Sequence, residues 1–257
     1  METLAIIQAR TGSTRLPGKV LLDLEGATVL ERVIERVMAA KLIDKVMVAT
    51  TTQENDLPLV ELCNRLGVAV YRGSEKDVLD RFYQAAKPFA PRRIVRITAD
   101  CPLIDPKIID QSIFTFRETK VDYLASQFDE RLPDGEDVEV FSFEALKRAW
   151  ADAKWVSERE HVTPYIYKNP KIFKVSGLKV DHDYSEKRWT LDNQDDYEFI
   201  RAIYSLLYKN NHQFGMEDVL ELLKKNPDLE KLNSHIARNE GYAKSLREDK
   251  IVQLEGK

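Results

Sequence analysis

Cysteine is scarce in this chain. Two cysteines in 257 residues, Cys63 and Cys101, cannot form a disulfide framework or a thiolate metal cluster. Histidine is scarce as well, and His182, His212 and His235 have no metal-ligand spacing. No apolar run approaches the roughly 20 residues of a membrane helix, so no membrane partner is expected. Met1 leads into an apolar strand pattern rather than a signal peptide, which points to the reducing cytoplasm. A basic excess is also missing. The 39 Lys+Arg against 43 Asp+Glu give a net charge of -4, which argues against a nucleic-acid partner. With no repeats and no low-complexity linker, residues 1–257 read as one domain. The 43% hydrophobic residues suffice for a sizeable core, and the 32% charged residues for a soluble protein.

The first hundred residues alternate strand and helix patterns, the rhythm of a parallel sheet with crossover helices. Strands are expected at 4–8, 45–50, 69–71 and 93–98. Thr28 and Glu31 form a capping box ahead of the stripe Val29, Leu30, Val33, Ile34, Val37. Asp56 opens a second helix that carries Cys63 on its apolar face and that Gly67 ends. A third helix is expected over 75–89, with Ser74 as its cap and Asp77 as a first-turn acid. A fourth follows Asp105-Pro106. Beyond it the pattern changes. Strands at 121–126 and 138–142 flank a polar loop at 129–137 and read as antiparallel. Helices near 143–153 and 158–167, a strand at 172–180, a strand at 188–191 and a helix at 194–208 follow. The chain ends in a charged helical extension, about 210–257, with a polar tail after Ser245.

The first strand runs straight into a loop carrying Arg10, Gly12, Ser13, Arg15, Gly18 and Lys19. A buried strand that enters a loop rich in glycine and cations is how an α/β sheet presents a phosphate site: backbone amides point inward and the cations offset the phosphate charge. The P-loop of nucleoside triphosphatases is excluded. Ser13 occupies its first glycine position, and Val20 replaces the hydroxyl residue that would hold magnesium. Lys19, as a loop lysine, is expected at the surface rather than in the core.

Two acids close apolar strand patterns. Asp100 follows 93–99, and Asp192 follows Trp189–Leu191. The carboxyl ends of sheet strands are where α/β proteins bind ligands, and two carboxylates there make a hard-oxygen site suited to Mg2+. A turn or helix-cap role is the plain alternative for Asp100. Asp181-His182-Asp183 is a rival, since an Asp-x-Asp pair is how many glycosyltransferases hold a metal with a nucleotide sugar. Cys101 abuts the same region with no histidine close in sequence.

The loop resembles the signature of the cytidylyltransferases that activate sugar acids, Arg-x-x-Ser-x-Arg-x-Pro-x-Lys, which Arg10, Ser13, Arg15, Pro17 and Lys19 fill. Further blocks resemble the branch of spore-coat polysaccharide biosynthesis protein F: YRGSEKDVLDRF from Tyr71, RITADCPLID from Arg96, LPDGEDVEVFS from Leu132, EREHVTPYI from Glu158 and RWTLDNQDDYEFI from Arg188. The resemblance covers residues 3–205, in the family's order. It implies a three-layer α/β/α sandwich with a mostly parallel sheet and an antiparallel acceptor-side elaboration over about 121–181. It implies transfer of CMP from CTP to an acidic sugar, releasing pyrophosphate, in surface polysaccharide biosynthesis. Asp100 and Asp192 match its metal-binding aspartates, with Mg2+ as cofactor. Lys19 and Arg10, with Asp100, would act catalytically. Ala9, Arg10, Gly12, Ser13, Arg15, Lys19, Ser74 and Arg81 would contact the nucleotide, and Arg159 and His161 the acceptor. The relatives pair through the elaboration, so a homodimer through the apolar residues of 138–143 is expected. A metal-dependent glycosyltransferase using Asp181 and Asp183, or a non-catalytic nucleotide-binding protein, are the alternatives.

Overall fold

The computed structural model describes residues 1–129, 131–238 and 246–252. Strand β1 (Thr3–Gln8) is apolar without alternation because both its faces are covered, as in the centre of a parallel sheet. Leu4 and Ile6 point to one face of the sheet, Ala5 and Ile7 to the other. After it come the two-residue strands β2 (Asp23–Leu24) and β3 (Ala27–Thr28), which pair with each other, then helix α1 (Val29–Ala39). The unit continues with β4 (Lys45–Thr51), α2 (Leu57–Leu66), β5 (Ala69–Gly73), α3 (Val78–Ala86), β6 (Arg93–Thr98) and α4 (Pro106–Thr119). The second part holds β7 (Tyr123–Ala125), β8 (Glu139–Ser142), α5 (Phe143–Asp152), α6 (Val156–His161), α7 (Pro164–Tyr167), β9 (Val175–Gly177), α8 (Gln194–Leu207) and α9 (Met216–Lys225).

The main sheet has the order β5-β4-β1-β6-β8-β7-β9. The first four strands run parallel, β8 is antiparallel to β6 and β7, and β9 is parallel to β7. One face packs against α1, α2 and α4 through Leu30, Val33, Leu62, Cys63, Ile109 and Ile113. The other packs against α3 and α5 through Leu79, Phe82, Leu146 and Ala149. The three-layer α/β/α arrangement is therefore present. A third apolar cluster joins Leu103, Trp189 and Leu191 to α8 and α9. From β1 the chain moves outward to β4 and β5, then returns to the far side of β1 as β6. The direction of winding thus switches between β1 and β6, where α/β sheets open a crevice at their carboxyl ends. Among the described residues no helix is long and apolar enough to cross a membrane.

Several local expectations are met by hydrogen bonds. The Thr28 hydroxyl accepts from the Glu31 amide, one half of the expected capping box, while the Glu31 carboxylate turns to Arg65; Gly67 ends α2 at φ 68°. Others are revised. The cap of α3 is Asp77, which accepts from the Asp80 amide, while the Ser74 hydroxyl accepts from the Asp77 amide one turn earlier. Asp56 makes no cap bond; its carboxylate takes the amides and hydroxyls of Thr11 and Thr51. The single helix expected near 158–167 is two, because Val162 sits at φ 73° and Pro164 restarts the chain. Residues 188–191 form no strand. Trp189 donates to Asp134 O and Leu191 to Asp100 O, bonds to two different segments instead of one ladder. The loop expected to be polar is buried from Leu132 to Glu136; residue 130 of it lies outside the described residues. Val138, Val140 and Phe141 have no exposed surface. They lie in and beside β8, an inner strand, so these three residues cannot supply the dimer surface expected over 138–143. Of the tail expected after Ser245, residues 249–252 hydrogen-bond to 154–157, the start of α6 and the residues before it, while 239–245 and 253–257 lie outside the described residues.

Candidate active site

At the switch between β1 and β6 the sheet opens into a cavity of about 830 Å³. The loop after β1 forms one side. Gly18 takes φ 70°, a left-handed turn that suits glycine, and starts the 3-10 turn Lys19–Leu21. The turn carries Lys19 inward, so that it is 8% exposed rather than a surface residue. Its ammonium donates to Asp100 Oδ2 at 2.9 Å, to Asp192 Oδ1 at 2.9 Å and to the Leu191 carbonyl at 2.7 Å. The two acids, 92 positions apart, thus face one cation. The 2.8 Å bond from the Leu191 amide to the Asp100 carbonyl stitches their segments together. Asp105, not Asp100, caps α4, which leaves Asp100 free of that role.

Charge balance explains the ionisation of the cluster. Burial pushes the Asp100 carboxyl up, but the charge and hydrogen bond of Lys19 outweigh it and bring it down to about 2. Burial lowers Lys19, and the two carboxylates more than reverse this, so the ammonium is held above its ordinary value. Arg15 adds a contact to Asp192 Oδ1 at 3.0 Å. Behind Asp192, Arg188 bonds Asp192 Oδ2 at 3.2 Å, Asp134 at 3.1 Å and both oxygens of Asp196. Gly135 lets this happen. At φ 114° a side chain there would meet the Trp189 carbonyl carbon at 2.7 Å.

The cavity brings together Ala9, Arg10, Ser13, Arg15, Lys19, Arg81, Asp100, Arg159, His161 and Asp192. Gly12, Ser74, Asp181 and Asp183 do not line it. Asp183 is exposed and accepts from the Ser185 amide, as a turn acid does. Arg10 is 3.8 Å from Glu75. Arg81 is wholly buried. One guanidinium nitrogen donates to the Ser74 carbonyl, and burial with the nearby charge of Arg10 lowers it to about 10. Arg159 is bound by Asp77 and by the carbonyls of Trp150 and Ala153. Burial pushes the His161 imidazole below its ordinary value against the pull of Glu160. Cys101 is buried behind Asp100, and burial together with that carboxylate keeps its thiol protonated, unsuited to nucleophilic attack.

Sequence reasoning assigned no role to Asp134, Arg188 and Asp196, which hold Asp192, nor to Lys250 and Val252, which also line the cavity. A signal existed for Asp134 alone. Acids recur at Asp134, Glu136, Asp137 and Glu139 in a stretch otherwise apolar enough to be buried.

Asp100 and Asp192 fit a divalent cation by their chemistry. They are hard oxygen donors already converging on one positive charge, and magnesium needs few protein ligands when phosphates and water supply the rest.

A switch-point crevice with converging cations and paired acids defines an α/β nucleotidyltransferase. The family model described as cytidylyltransferase matches residues 4–230, so the chain belongs to the cytidylyltransferase family. It is 34% identical over 234 residues to the spore coat polysaccharide biosynthesis protein SpsF of Bacillus subtilis, covering 88% of this chain and 96% of that protein. A solved cytidylyltransferase from Leptospira borgpetersenii superposes with a TM-score of 0.85 at 35% identity, over 90% of this chain and 97% of that one. A CMP:2-keto-3-deoxy-manno-octonic acid synthetase complexed with CTP shares the fold, with a TM-score of 0.61 at 16% identity over 80% of this chain and 99% of the other.

Proposed function

We propose that the enzyme transfers CMP from CTP to an acidic sugar of the ulosonic or nonulosonic type and releases pyrophosphate. The observation that carries this reading is Lys19, held between Asp100 and Asp192 on the floor of the cavity with Arg15 beside it. Support for the acceptor class comes from the relatives, one a polysaccharide biosynthesis protein and another a synthetase for a CMP-linked sugar acid.

The acceptor's anomeric hydroxyl attacks the α-phosphorus of CTP in line. The new bond joins that oxygen to phosphorus as its proton passes to water, and the bond to the β-phosphate oxygen breaks, so pyrophosphate leaves with its electron pair. Arg10, Arg15 and Lys19 offset the charge that grows on the triphosphate and on the leaving group. Asp100 and Asp192 would hold magnesium, which when bound polarises the α-phosphate. Arg188 fixes the Asp192 carboxylate, so the acid is pre-positioned before any ligand arrives. Positioning and charge stabilisation carry such a transfer without a covalent intermediate. The setting is cytoplasmic synthesis of a surface polysaccharide precursor by a homodimer, and light scattering tests the assembly.

The deciding experiment incubates the protein and Mg2+ with each nucleoside triphosphate and a panel of sugar acids while pyrophosphate is measured. Release with CTP and an acidic sugar is expected. Equal release with every triphosphate would remove the cytidine assignment, and release with neutral sugars alone would remove the acceptor class.

A further inference from the structure

The chain's last described residues return to the cavity. Ser157 donates through its amide to Asp249 Oδ1 at 2.9 Å and through its hydroxyl to Asp249 Oδ2 at 2.6 Å. The Val156 amide donates to the Lys250 carbonyl at 2.9 Å, and the Val252 amide to the Lys154 carbonyl at 2.7 Å. Trp155 and Ile251 form an antiparallel bridge. Val156 and Ser157 open α6, where amides have no partner inside the helix, so the segment satisfies donors the helix leaves open. These bonds hold 249–252 in one register and set Lys250 and Val252 in the wall of the cavity, with Val156, Arg159 and His161.

The two cations of this wall differ in what holds them. Arg159 is taken by Asp77, and Glu160 faces the His161 ring at 3.9 Å. Among the described residues no acid pairs with the Lys250 ammonium, and the side chain is exposed. Lys76, another lysine of the lining, stands on the loop after β5 and belongs to a different segment. The loop after β1 supplies its own cations, Arg10, Arg15 and Lys19, to a triphosphate. A sugar acid bound beside that triphosphate carries a second anion and needs a cation from elsewhere. Val156 and Val252 flank the lysine with apolar surface suited to the carbon face of a sugar.

We infer that residues 249–252 complete the acceptor pocket and that Lys250 holds the carboxylate of the sugar acid. This inference rests on the sugar-acid reading above. Asp249 is a positioning residue that acts through the register of the segment.

Steady-state pyrophosphate release with 3-deoxy-manno-octulosonate and N-acetylneuraminate as probes, on the full chain, tests it. Lys250→Met is expected to raise the acceptor KM about tenfold or more, with kcat and the CTP KM nearly unchanged, and Lys250→Arg to restore most of the affinity. Asp249→Ala is expected to raise the acceptor KM too and to speed hydrogen exchange at the Val156 and Ser157 amides, while the thermal shift given by CTP persists. An unchanged acceptor KM in Lys250→Met, or a CTP KM that rises as much, would overturn the assignment while leaving the sugar-acid reading intact. A full chain that turns over neither acid removes both.

Discussion

The two walls of the cavity are built differently. The loop after β1 draws Arg10, Ser13, Arg15 and Lys19 from ten consecutive residues, anchored where Asp56 holds the amide and hydroxyl of Thr11. The facing set of groups is assembled from α6 and a segment 92 positions further along. In the loop the charges converge on two acids. In the α6 wall, Arg159 serves Asp77 and the end of α5, so an arginine that reads as a ligand group is occupied by structure.

If the loop wall carries the chemistry, its variants should give the largest losses. Lys19→Ala is expected to lower kcat about a hundredfold or more, with a smaller change in apparent affinity. It should also lower stability by roughly 2 kcal/mol, less than a fully buried pair would cost, because Asp100 and Asp192 are left facing each other. Asp100→Asn and Asp192→Asn should each raise the magnesium needed for residual turnover, and combining them should add little. Asp181→Asn and Asp183→Asn should be mild. Loss of activity in that second pair alone, seen in a magnesium titration of the four variants, would break the contrast.

Gly135→Ala should be the most damaging change outside the cavity lining. The new methyl meets backbone of Trp189 and Thr190 at a left-handed φ, so a loss of about 3 kcal/mol is expected, with Asp192 displaced. A melting temperature equal to that of the parent would show that the support behind Asp192 gives way easily.

The smallest effect concerns pH. Burial, reinforced by the charge of Asp134, pushes Asp137 up to about 7 from the ordinary 3.8. The fold therefore favours the protonated carboxyl. The stability this brings is complete below pH 3.8 and is lost as pH rises through 7. Asp137→Asn should flatten the decline in melting temperature across that window. Parallel curves for parent and variant would return Asp137 to an ordinary solvated acid.

Much of the first hundred residues was legible because their signals are local. The apolar run of β1, the Thr28 cap, the glycine that ends α2 and the cations of the loop each express a preference of a few neighbouring residues. Asp100 and Asp192 were legible as acids that end apolar segments. The later part was harder to read, for a physical reason visible at Trp189–Leu191. The hydrogen bonds of that segment go to Asp134 and Asp100, so its shape depends on partners far off in sequence. The same holds for α6 and α7, where backbone at Val162 breaks a pattern that looks continuous.

The sequence by itself determined the alternation of the first strands and helices, the residue types of the loop after β1 and the family to which the chain belongs. Those follow from short-range periodicity and residue type. Tertiary structure alone decided that Lys19 is buried between the two acids, that Arg188 and Gly135 hold Asp192 in place, and that residues 249–252 return to the cavity. Each of these depends on closing a long loop and on desolvating charges together. The energy of such a contact exists only once both partners are packed, and no local pattern records it.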